Sequence, residues 1–426
     1  MKKNILVFPC GSEIGLEIHR SLKYSAHFNL IGGSSVDDHG KFIYENYVEN
    51  IPFHNAVNFL ETIKKIVLYH KIDAIYPTMD EVARTFKNNE EAIGCRVVGS
   101  SAETTTICTS KKLTYRKLKD LIPIPKTYAT LDSVEEYPLF IKPDVGYSSR
   151  NVYLAKDETA AQAFLIGNSS ENDFVFCEFL PGAEYTIDCF SDRHGNLLFS
   201  GARKRVRISN GISVNTKQTK EHDALCASYA DIINKQLKPR GAWFFQMKLD
   251  KDDKLKLLEV AARLGGSSSL FRSKGVNFAM LSAFDCFDID VEIMQNSYEA
   301  ELDRALSNRY RLKIEYTTVY VDYDDCILLG DKVNQELIAY LYAILNQRKK
   351  IILITRYAGN LQQSLSTYRL QGLFDEVIHL TKKEKKSDYI NPTEAIFIDD
   401  SHAERADVKK KYNIHVFSPD MVETLF

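Results

Sequence analysis

The 426-residue sequence lacks several features that would assign it to a specialised class of protein. No uncharged apolar run approaches the roughly 18 residues needed to cross a bilayer, so no membrane-spanning helix is expected. Lysine and arginine number 55 against 57 aspartates and glutamates, a balance that argues against a protein that coats nucleic acid. The first apolar run, Ile5 to Cys10, is too short for a signal peptide and reads as a strand. Internal repeats and low-complexity tracts are also missing.

The sequence also lacks closely paired cysteines. The eight cysteines are scattered and never stand in a C-x-x-C pair, and most lie in apolar surroundings. This usage predicts reduced thiols in a core rather than disulfides or a zinc site, and it favours the cytoplasm. Hydrophobic residues make up 44% and charged residues 26%, which excludes a disordered chain. At this length we expect two to four globular domains.

Secondary-structure patterns divide the chain into three regions. Residues 1–105 alternate strand-like and helix-like stretches, which predicts βαβ units around a parallel sheet. Gly11 and Gly15 follow the first strand but lack the three-glycine dinucleotide fingerprint, so they indicate a tight strand-to-helix turn. Residues 106–312 mix long alternating strands with helices, and residues 316–426 return to strand–helix alternation. The expected fold class is therefore multidomain, α/β and α+β.

Residues suited to a triphosphate are spread along the first 300 positions. In chain order they are Lys111 at the start of a helix, Lys142 before Pro143 at the end of a strand, a loop at Gly146, Glu178, Gly182-Ala-Glu184, Gln246, and Glu259-Val-Ala-Ala-Arg263-Leu-Gly-Gly266. This order resembles the ATP-grasp superfamily over roughly residues 1–300, and within it the carbamoyl-phosphate-synthase-like carboxylate–amine ligases. The segment from Phe176 to Asp188 is similar to the hinge strand of that superfamily. The resemblance implies that residues 1–105 are a pre-grasp domain.

The resemblance also implies roles for particular residues. Those expected to bind ATP are Lys111, Lys142, Ser148, Ser149, Glu178, Phe179, Leu180 and Glu184. Gln246 and Glu259 would hold Mg²⁺, with Mn²⁺ as an alternative ion, because oxygen ligands suit both. Arg263 would be catalytic, facing the transferred phosphoryl group.

Two positions depart from the ligase pattern, and two motifs stay open. Ser110 stands where an acid commonly precedes the first lysine, and Ala261 stands where an asparagine commonly supplies a further metal ligand. The alternating arginines 203, 205 and 207 would share one strand face, either at an exposed sheet edge or toward phosphate or an acidic substrate. Asp80 and Glu81 follow Pro77 at the C-terminal end of a strand, where α/β sheets place ligands, and a substrate role there is left open.

The last 110 residues carry a second set of acids. Asp322 and Asp324 follow the apolar run from Val319, Thr355 ends another, four lysines stand between 382 and 386, and Asp399-Asp400 end a third run. This order resembles the haloacid-dehalogenase (HAD) superfamily over residues 316–426. The pattern departs at Asp325-Cys326, where glycine and threonine are usual. The stretch from Cys326 to Ile351 has no room for a cap domain.

The HAD resemblance implies a magnesium-dependent phosphohydrolase. Asp322 would be the nucleophile and Asp324 the general acid and base, and Thr355 and Lys386 would bind phosphoryl oxygens. Asp322, Asp324 and Asp399 would hold Mg²⁺, because clustered carboxylates need a cation to stay charged. Lys386 is favoured because it stands nearest the start of the helix-like stretch before Asp399, and Lys382, Lys383 and Lys385 then form a solvated charge run. The resemblance also implies a Rossmann-like fold for residues 316–426. A phosphate-binding domain without activity is the alternative.

The two resemblances together predict a bifunctional enzyme. An ADP-forming ligase would join a carboxylate to an amine through an acyl phosphate, and the HAD part would act on a related phosphorylated metabolite. The alternatives are an ATP-dependent kinase or phosphotransferase and a non-catalytic nucleotide or phosphate sensor. The expected partners are small molecules, without nucleic acid or membrane. Oligomeric state is left open, with a homodimer the commonest symmetric assembly.

Overall fold

The computed structural model describes residues 2–146, 151–166, 168 and 173–426. The chain divides into two compact units, Met1–Leu306 and Ser307–Phe426, and each is considered by itself. Within the described residues, no helix has the length and apolar character that crossing a bilayer requires. All eight cysteines are free thiols, and all except Cys95 are buried.

The larger unit begins with a parallel sheet of order β3-β2-β1-β4-β5. Its strands are β1 Lys3–Phe8, β2 Phe28–Gly33, β3 Asn46–Val48, β4 Ala74–Pro77 and β5 Arg96–Val97. Both faces of β1 are buried, Ile5 and Val7 in one apolar cluster and Leu6 and Phe8 in another. Such two-sided burial is why the strand sequence reads as a continuous apolar run.

Helices connect and cover this first sheet. They are α1 Glu13–Leu22, α2 Phe59–His70, α3 Asp80–Asn88, α4 Glu90–Ile93 and α5 Ala102–Thr109. Among them, Phe59–His70 has the apolar spacing of a helix in its sequence, and Phe59, Ile63, Ile66 and Val67 form its buried face. A methyl group on Gly15 would collide with the Cys10 carbonyl, so the glycine lets the helix start close to the strand.

Two antiparallel sheets make up the rest of the larger unit. The smaller sheet has order β6-β9-β7-β8, and the larger has order β14-β13-β10-β11-β12-β15. The strands are β6 Thr127–Tyr128, β7 Leu139–Pro143, β8 Tyr153–Ala155, β9 Phe174–Glu178, β10 Glu184–Ser191, β11 Leu197–Ser209, β12 Ile212–Gln218, β13 Gly241–Leu249, β14 Leu255–Ala261 and β15 Glu301–Asp303. The helices are α6 Lys111–Leu118, α7 Glu158–Ile166, α8 Asp223–Leu237, α9 Ser269–Ser273 and α10 Phe278–Cys286.

Strand β11 corrects one of the two interpretations of the arginine motif. It lies inside the larger sheet, between β10 and β12, so its arginines do not protect an exposed edge. The pairing with β12 shifts register between Arg205 and Arg207. The strict alternation expected from the sequence is therefore broken, since an irregularity in the ladder re-aims the side chains that follow it.

The smaller unit contains a parallel sheet of order β20-β19-β16-β21-β22. Its elements are β16 Thr318–Val321, β17 Leu328–Leu329, β18 Lys332–Val333, α11 Gln335–Asn346, β19 Lys350–Thr355, α12 Leu361–Thr367, β20 Glu376–His379, β21 Ala395–Ile398, α13 His402–Tyr412 and β22 His415–Phe417. Between β16 and α11 stands only the hairpin formed by β17 and β18. Because β19, β16 and β21 are parallel neighbours, the residues that end them meet at one edge.

Candidate functional site

Helix α6 is fixed at its first turn by Asp144, which follows β7. The Asp144 carboxylate accepts hydrogen bonds from the Ser110 hydroxyl at 2.8 and 2.9 Å and from the Lys112 amide at 2.7 Å. Ser110 also caps the helix by accepting from the Leu113 amide at 3.1 Å. Position 110 has no acid of its own, and the carboxylate that contacts this helix start comes from Asp144 instead. Lys111, between these anchored residues, has its Nζ 3.3 Å from the Asp144 carbonyl oxygen.

Lys142 is buried between the two antiparallel sheets. Its Nζ donates to the Tyr115 hydroxyl at 2.8 Å and to the Leu258 carbonyl at 3.1 Å. Glu178, at the end of β9, accepts from the Lys126 amide at 2.8 Å and lies 3.3 Å from Lys256 Nζ. Lys142 therefore lies near the end of its strand, as the Lys-Pro sequence predicts, but its side chain is buried in the interior.

A cavity with mainly apolar walls lies between the two sheets, and we call it the apolar cavity. Its lining includes Pro125, Phe140, Cys177, Phe179, Leu180, Ile208 and Leu258, with Lys142, Glu178, Glu184 and Lys248 among the charged members. Six of the eight residues predicted to bind ATP line it, Lys111 included; Ser148 and Ser149 lie outside the described residues. Apolar walls with a few charged groups are typical of sites for flat organic ligands.

The two predicted metal ligands are neighbours on adjacent strands of the larger sheet. Gln246 on β13 is directly opposite Glu259 on β14, and Thr186 on β10 stands on the other side of Gln246. Side chains opposite each other in an antiparallel pair project to the same face. Two oxygen-bearing side chains are thus adjacent, which is the donor set that Mg²⁺ prefers. Glu259 also partly offsets the effect of burial, which lowers the pKa of Lys111.

A second cavity, which we call the polar cavity, extends from this face to the N-terminal sheet. Arg263 lies in its wall, with its guanidinium 2.8 Å from Asp80 at the start of α3 and over the ring of Phe244. Arg304 and Glu13 also line this cavity and pair with each other at 2.8 Å. Asp80 and Glu81 therefore lie in the cavity wall, and Asp80 is paired with Arg263 there.

The two cavities share part of their lining, and we call this shared set the junction. Its members are Lys111, Gly146, Arg205, Gly211, Gln246 and Glu259. Arg205 is the member of the arginine motif that lies at the junction. Its placement depends on β11 lying next to β10, which strand alternation alone does not specify.

The smaller unit gathers charged side chains at the edge where β16, β19 and β21 end. Lys386 Nζ lies 2.7 Å from both Asp322 Oδ1 and Asp399 Oδ2, and all three residues are buried. Thr355, which ends β19, is also fully buried beside Asp322. Carboxylate oxygens of Asp322, Asp399 and Asp400 lie within 4.8 Å of one another. Asp400 thus stands in this group beside the predicted ligands Asp322 and Asp399, whereas the predicted ligand Asp324 is not among its members; Asp324 and Asp400 are both exposed.

Burial governs the proton affinities of this cluster. It raises the pKa of Asp399 to about 7, with the charge of Asp322 adding to the effect. It also raises the pKa of Asp322, against the opposing effect of Lys386. For Lys386 itself, burial would lower the pKa, but the two carboxylates outweigh it and raise it. Closely packed acids of this kind fit a divalent cation, because its charge removes the cost of ionising them together.

Comparison with known proteins shows what the larger unit is similar to. Residues 170–302 match the family described as ATP-grasp in the biosynthetic pathway with Ter operon. A D-alanine–D-alanine ligase of Thermotoga petrophila is 30% identical over 108 residues, which are 24% of this chain and 36% of that ligase. The chain thus spans about a third of this curated relative's length.

Solved structures share the fold at low sequence identity. The biotin carboxylase domain of 2-oxoglutarate carboxylase from Hydrogenobacter thermophilus, in complex with MgADP, ADP and bicarbonate, has a TM-score of 0.58 at 15% identity, covering 69% of this chain and 72% of that one. N5-carboxyaminoimidazole synthetase from Staphylococcus aureus, complexed with ADP, has a TM-score of 0.58 at 14% identity, covering 72% and 83%. Residues 170–302 are thus similar to an ATP-grasp family, and the larger unit shares its fold with these two solved structures.

Proposed function

We propose that the larger unit is an ADP-forming ligase that joins a carboxylate to an amine. The observation that carries the proposal is the pair of joined cavities, one apolar and one polar, with Lys111, Gln246 and Glu259 where they meet. A nucleotide in the apolar cavity would direct its triphosphate to the junction, and the polar cavity would hold the acceptor. Lys111 and Lys142 would balance phosphate charge, and Glu184 would accept from ribose hydroxyls.

The proposed chemistry has two balanced steps. A carboxylate oxygen of the acceptor attacks the terminal phosphorus of ATP; the bond to the bridging oxygen breaks, and ADP leaves with its electron pair. The amine then attacks the acyl carbon, phosphate leaves, and the nitrogen loses a proton to give the amide. Arg263 faces the polar cavity and would stabilise charge on the transferred group, as a guanidinium fork does for planar anions. Asp80 would hold that guanidinium in position.

Gln246 and Glu259 fit Mg²⁺ because both offer oxygen atoms on one face beside Lys111. The bound ion would neutralise phosphate charge and bridge the nucleotide to the protein. Ala261 follows on the same face of β14 but has no ligand atom, so this side of the site relies on two side chains.

Nucleotide analysis tests this proposal. Purified protein is incubated with Mg²⁺-ATP and a pool of amino acids and small carboxylates, and ADP, AMP and phosphate are separated by chromatography. ADP and phosphate that rise together only with the pool support a ligase, and splitting the pool finds the acceptor. AMP in place of ADP would contradict the acyl phosphate. ADP with a stable phosphorylated product would identify the kinase alternative, and ATP binding without turnover would identify a sensor.

We further propose that the smaller unit is a magnesium-dependent phosphohydrolase of the HAD kind. The observation that favours it is the contact of Lys386 with both Asp322 and Asp399 beside Thr355. Asp322 would attack phosphorus and the substrate oxygen would leave, protonated by Asp324; water would then hydrolyse the aspartyl phosphate. Asp322, Asp399 and Asp400 would hold Mg²⁺. Release of p-nitrophenol from its phosphate ester tests this, and activity that survives Asp322→Asn would contradict it.

A further inference from the structure

Arg356 stands at the edge of the smaller unit where the acid cluster lies. It directly follows Thr355, which ends β19 and pairs with His379 at the end of the neighbouring strand β20. Arg356 Nε donates to the Glu384 carbonyl at 2.9 Å, and Nη1 donates to the Glu404 carboxylate at 2.8 Å. These contacts fix the guanidinium between the segment after β20 and the first turn of α13.

The second terminal nitrogen of Arg356, Nη2, is left open. It makes no hydrogen bond within the described chain, and it is not among the side-chain atoms there that are buried without a partner. The side chain is 26% exposed, so an oxygen atom of a ligand can approach this nitrogen from solvent. A guanidinium that two contacts already hold in place loses little further freedom when it binds an anion.

The segment that holds Arg356 is rich in positive charge. Three of its lysines are exposed, Lys382, Lys383 and Lys385. Its one acid, Glu384, has a carboxylate that accepts from the Thr381 amide at 2.7 Å and from the Thr381 hydroxyl at 2.6 Å. These hydrogen bonds lower the pKa of Glu384 to about 2, so it stays charged and engaged inside its own turn. Positive charge at this edge favours ligands with more than one negative charge.

Arg356 is also close to the acid cluster. Glu404 raises the pKa of Arg356, and the charges of Asp399 and Asp322 add to that effect. Thr355, the neighbour of Arg356 in the chain, is buried beside Asp322 and is the predicted phosphate-binding residue. A phosphate bound at Thr355 therefore brings the rest of a small substrate within reach of Arg356.

We propose that Arg356 selects phosphate esters that carry a second anionic group, a carboxylate or another phosphate, by donating to that group from Nη2. This inference rests on the proposed phosphohydrolase function and names the substrate class of that site. The second anion takes no part in bond breaking and leaves with the alcohol. A guanidinium suits this task because its charge-assisted hydrogen bonds to carboxylate and phosphate oxygens are strong and directed.

Three esters that share a two-carbon chain test this selection on the full-length protein with Mg²⁺. Ethyl phosphate has no second anion, phosphoglycolate adds a carboxylate, and ethylene glycol bisphosphate adds a phosphate. Phosphate release gives kcat/KM for each ester, halved for the bisphosphate because its two ester bonds are equivalent. We expect the wild type to prefer at least one doubly anionic ester over ethyl phosphate by about tenfold, and Arg356→Met to remove most of that preference.

The matched control is Arg348→Met. Arg348 is exposed and precedes β19, so it lies at the opposite edge of the sheet from the acid cluster. This variant should keep the wild-type preference. If Arg356→Met does not fold because Glu404 is left unpaired, Glu404→Gln/Arg356→Met compared with Glu404→Gln gives the same information.

A wild-type protein without preference for either doubly anionic ester, or a preference that survives Arg356→Met, would overturn the inference. Preference for phosphoglycolate alone would support a phosphorylated carboxylate as the substrate class, and preference for the bisphosphate alone would support a bisphosphate. A wild type that hydrolyses p-nitrophenyl phosphate without any preference refutes the role of Arg356 and leaves the phosphohydrolase standing. A wild type that hydrolyses no ester refutes both.

Discussion

Lys386 differs from the other lysines of its segment in burial and in partners. Lys382, Lys383 and Lys385 are exposed, whereas Lys386 is 3% exposed and contacts two carboxylates. The sequence favours Lys386 only through its place before a helix-like stretch. The difference arises only in the folded structure, because the Lys386 ammonium loses its contact with water and gains two carboxylates as partners.

Lys386→Met should abolish hydrolysis of p-nitrophenyl phosphate by the proposed phosphohydrolase. The variant loses the cation between Asp322 and Asp399, and with it the charge that would meet the phosphoryl oxygens. The measurement is p-nitrophenol release with Mg²⁺, together with a melting curve that verifies folding. Lys383→Met is the matched control, and it should retain wild-type rates. Equal rates in the two variants would contradict the role given to Lys386.

Ser110 provides a second test at the scale of one residue. Ser110→Ala removes both the cap of α6 and a hydrogen bond to Asp144, so we expect a loss of about 1 kcal/mol in stability and weaker ATP binding. Ser101→Ala is the control, because Ser101 caps α5 in the same way by accepting from the Thr104 amide. It should cost similar stability and leave ATP binding unchanged. Chemical denaturation and nucleotide titration of both variants measure the two effects.

At the scale of elements, the end of strand β14 presents Glu259 and Ala261 toward the cavities, and Arg263 follows two residues after the strand. Ala261→Asn would add an oxygen ligand next to Glu259. We expect the Mg²⁺ concentration for half-maximal ADP formation to fall by roughly a factor of three, because each further oxygen ligand strengthens a hard-cation site. Ala261→Leu has a similar volume without the oxygen and should not lower that concentration. If Ala261→Asn needs the same Mg²⁺ concentration as the wild type, residue 261 does not lie beside the metal.

Strand alternation predicted many of the elements, and motif order named those residues of the apolar cavity that carry the motifs, such as Lys111, Lys142 and Glu184. Helix Phe59–His70 and strands such as Leu255–Ala261 follow from local periodicity, which depends on near neighbours alone. The pairs Arg263–Asp80 and Arg304–Glu13 could not be predicted, because they join residues far apart in the sequence. The position of Arg205 likewise depends on which strands become neighbours, and local pattern carries no such information.

At the scale of the whole molecule, the two candidate sites belong to separate compact units. Glu259→Ala should therefore abolish acceptor-dependent ADP formation and leave hydrolysis of p-nitrophenyl phosphate at the wild-type rate. Asp322→Asn should do the reverse, because each substitution removes a charged oxygen from one site only. Both reactions are measured on the same preparations. Loss of both activities in one folded variant would contradict two independent sites.

Cysteines in both compact units have thiols whose reactivity is lowered by burial. Burial raises the pKa of Cys10 to about 12 and that of Cys286 to about 11, and Cys326 is raised well above its ordinary value. Folded protein should therefore resist iodoacetamide at mildly alkaline pH, whereas protein in concentrated guanidinium should take up eight labels. Mass spectrometry counts the labels, and rapid labelling of the folded protein would contradict this burial.

The burial of the thiols also determines how the protein is inactivated by oxidation in air. Every global opening releases eight nucleophilic sulfurs at once, and in air these can cross-link before the chain closes again. Heat denaturation should then be irreversible without a reductant and reversible to a greater extent with one. The working life of the protein in air is consequently set by how often it opens, a rate, rather than by its free energy of unfolding.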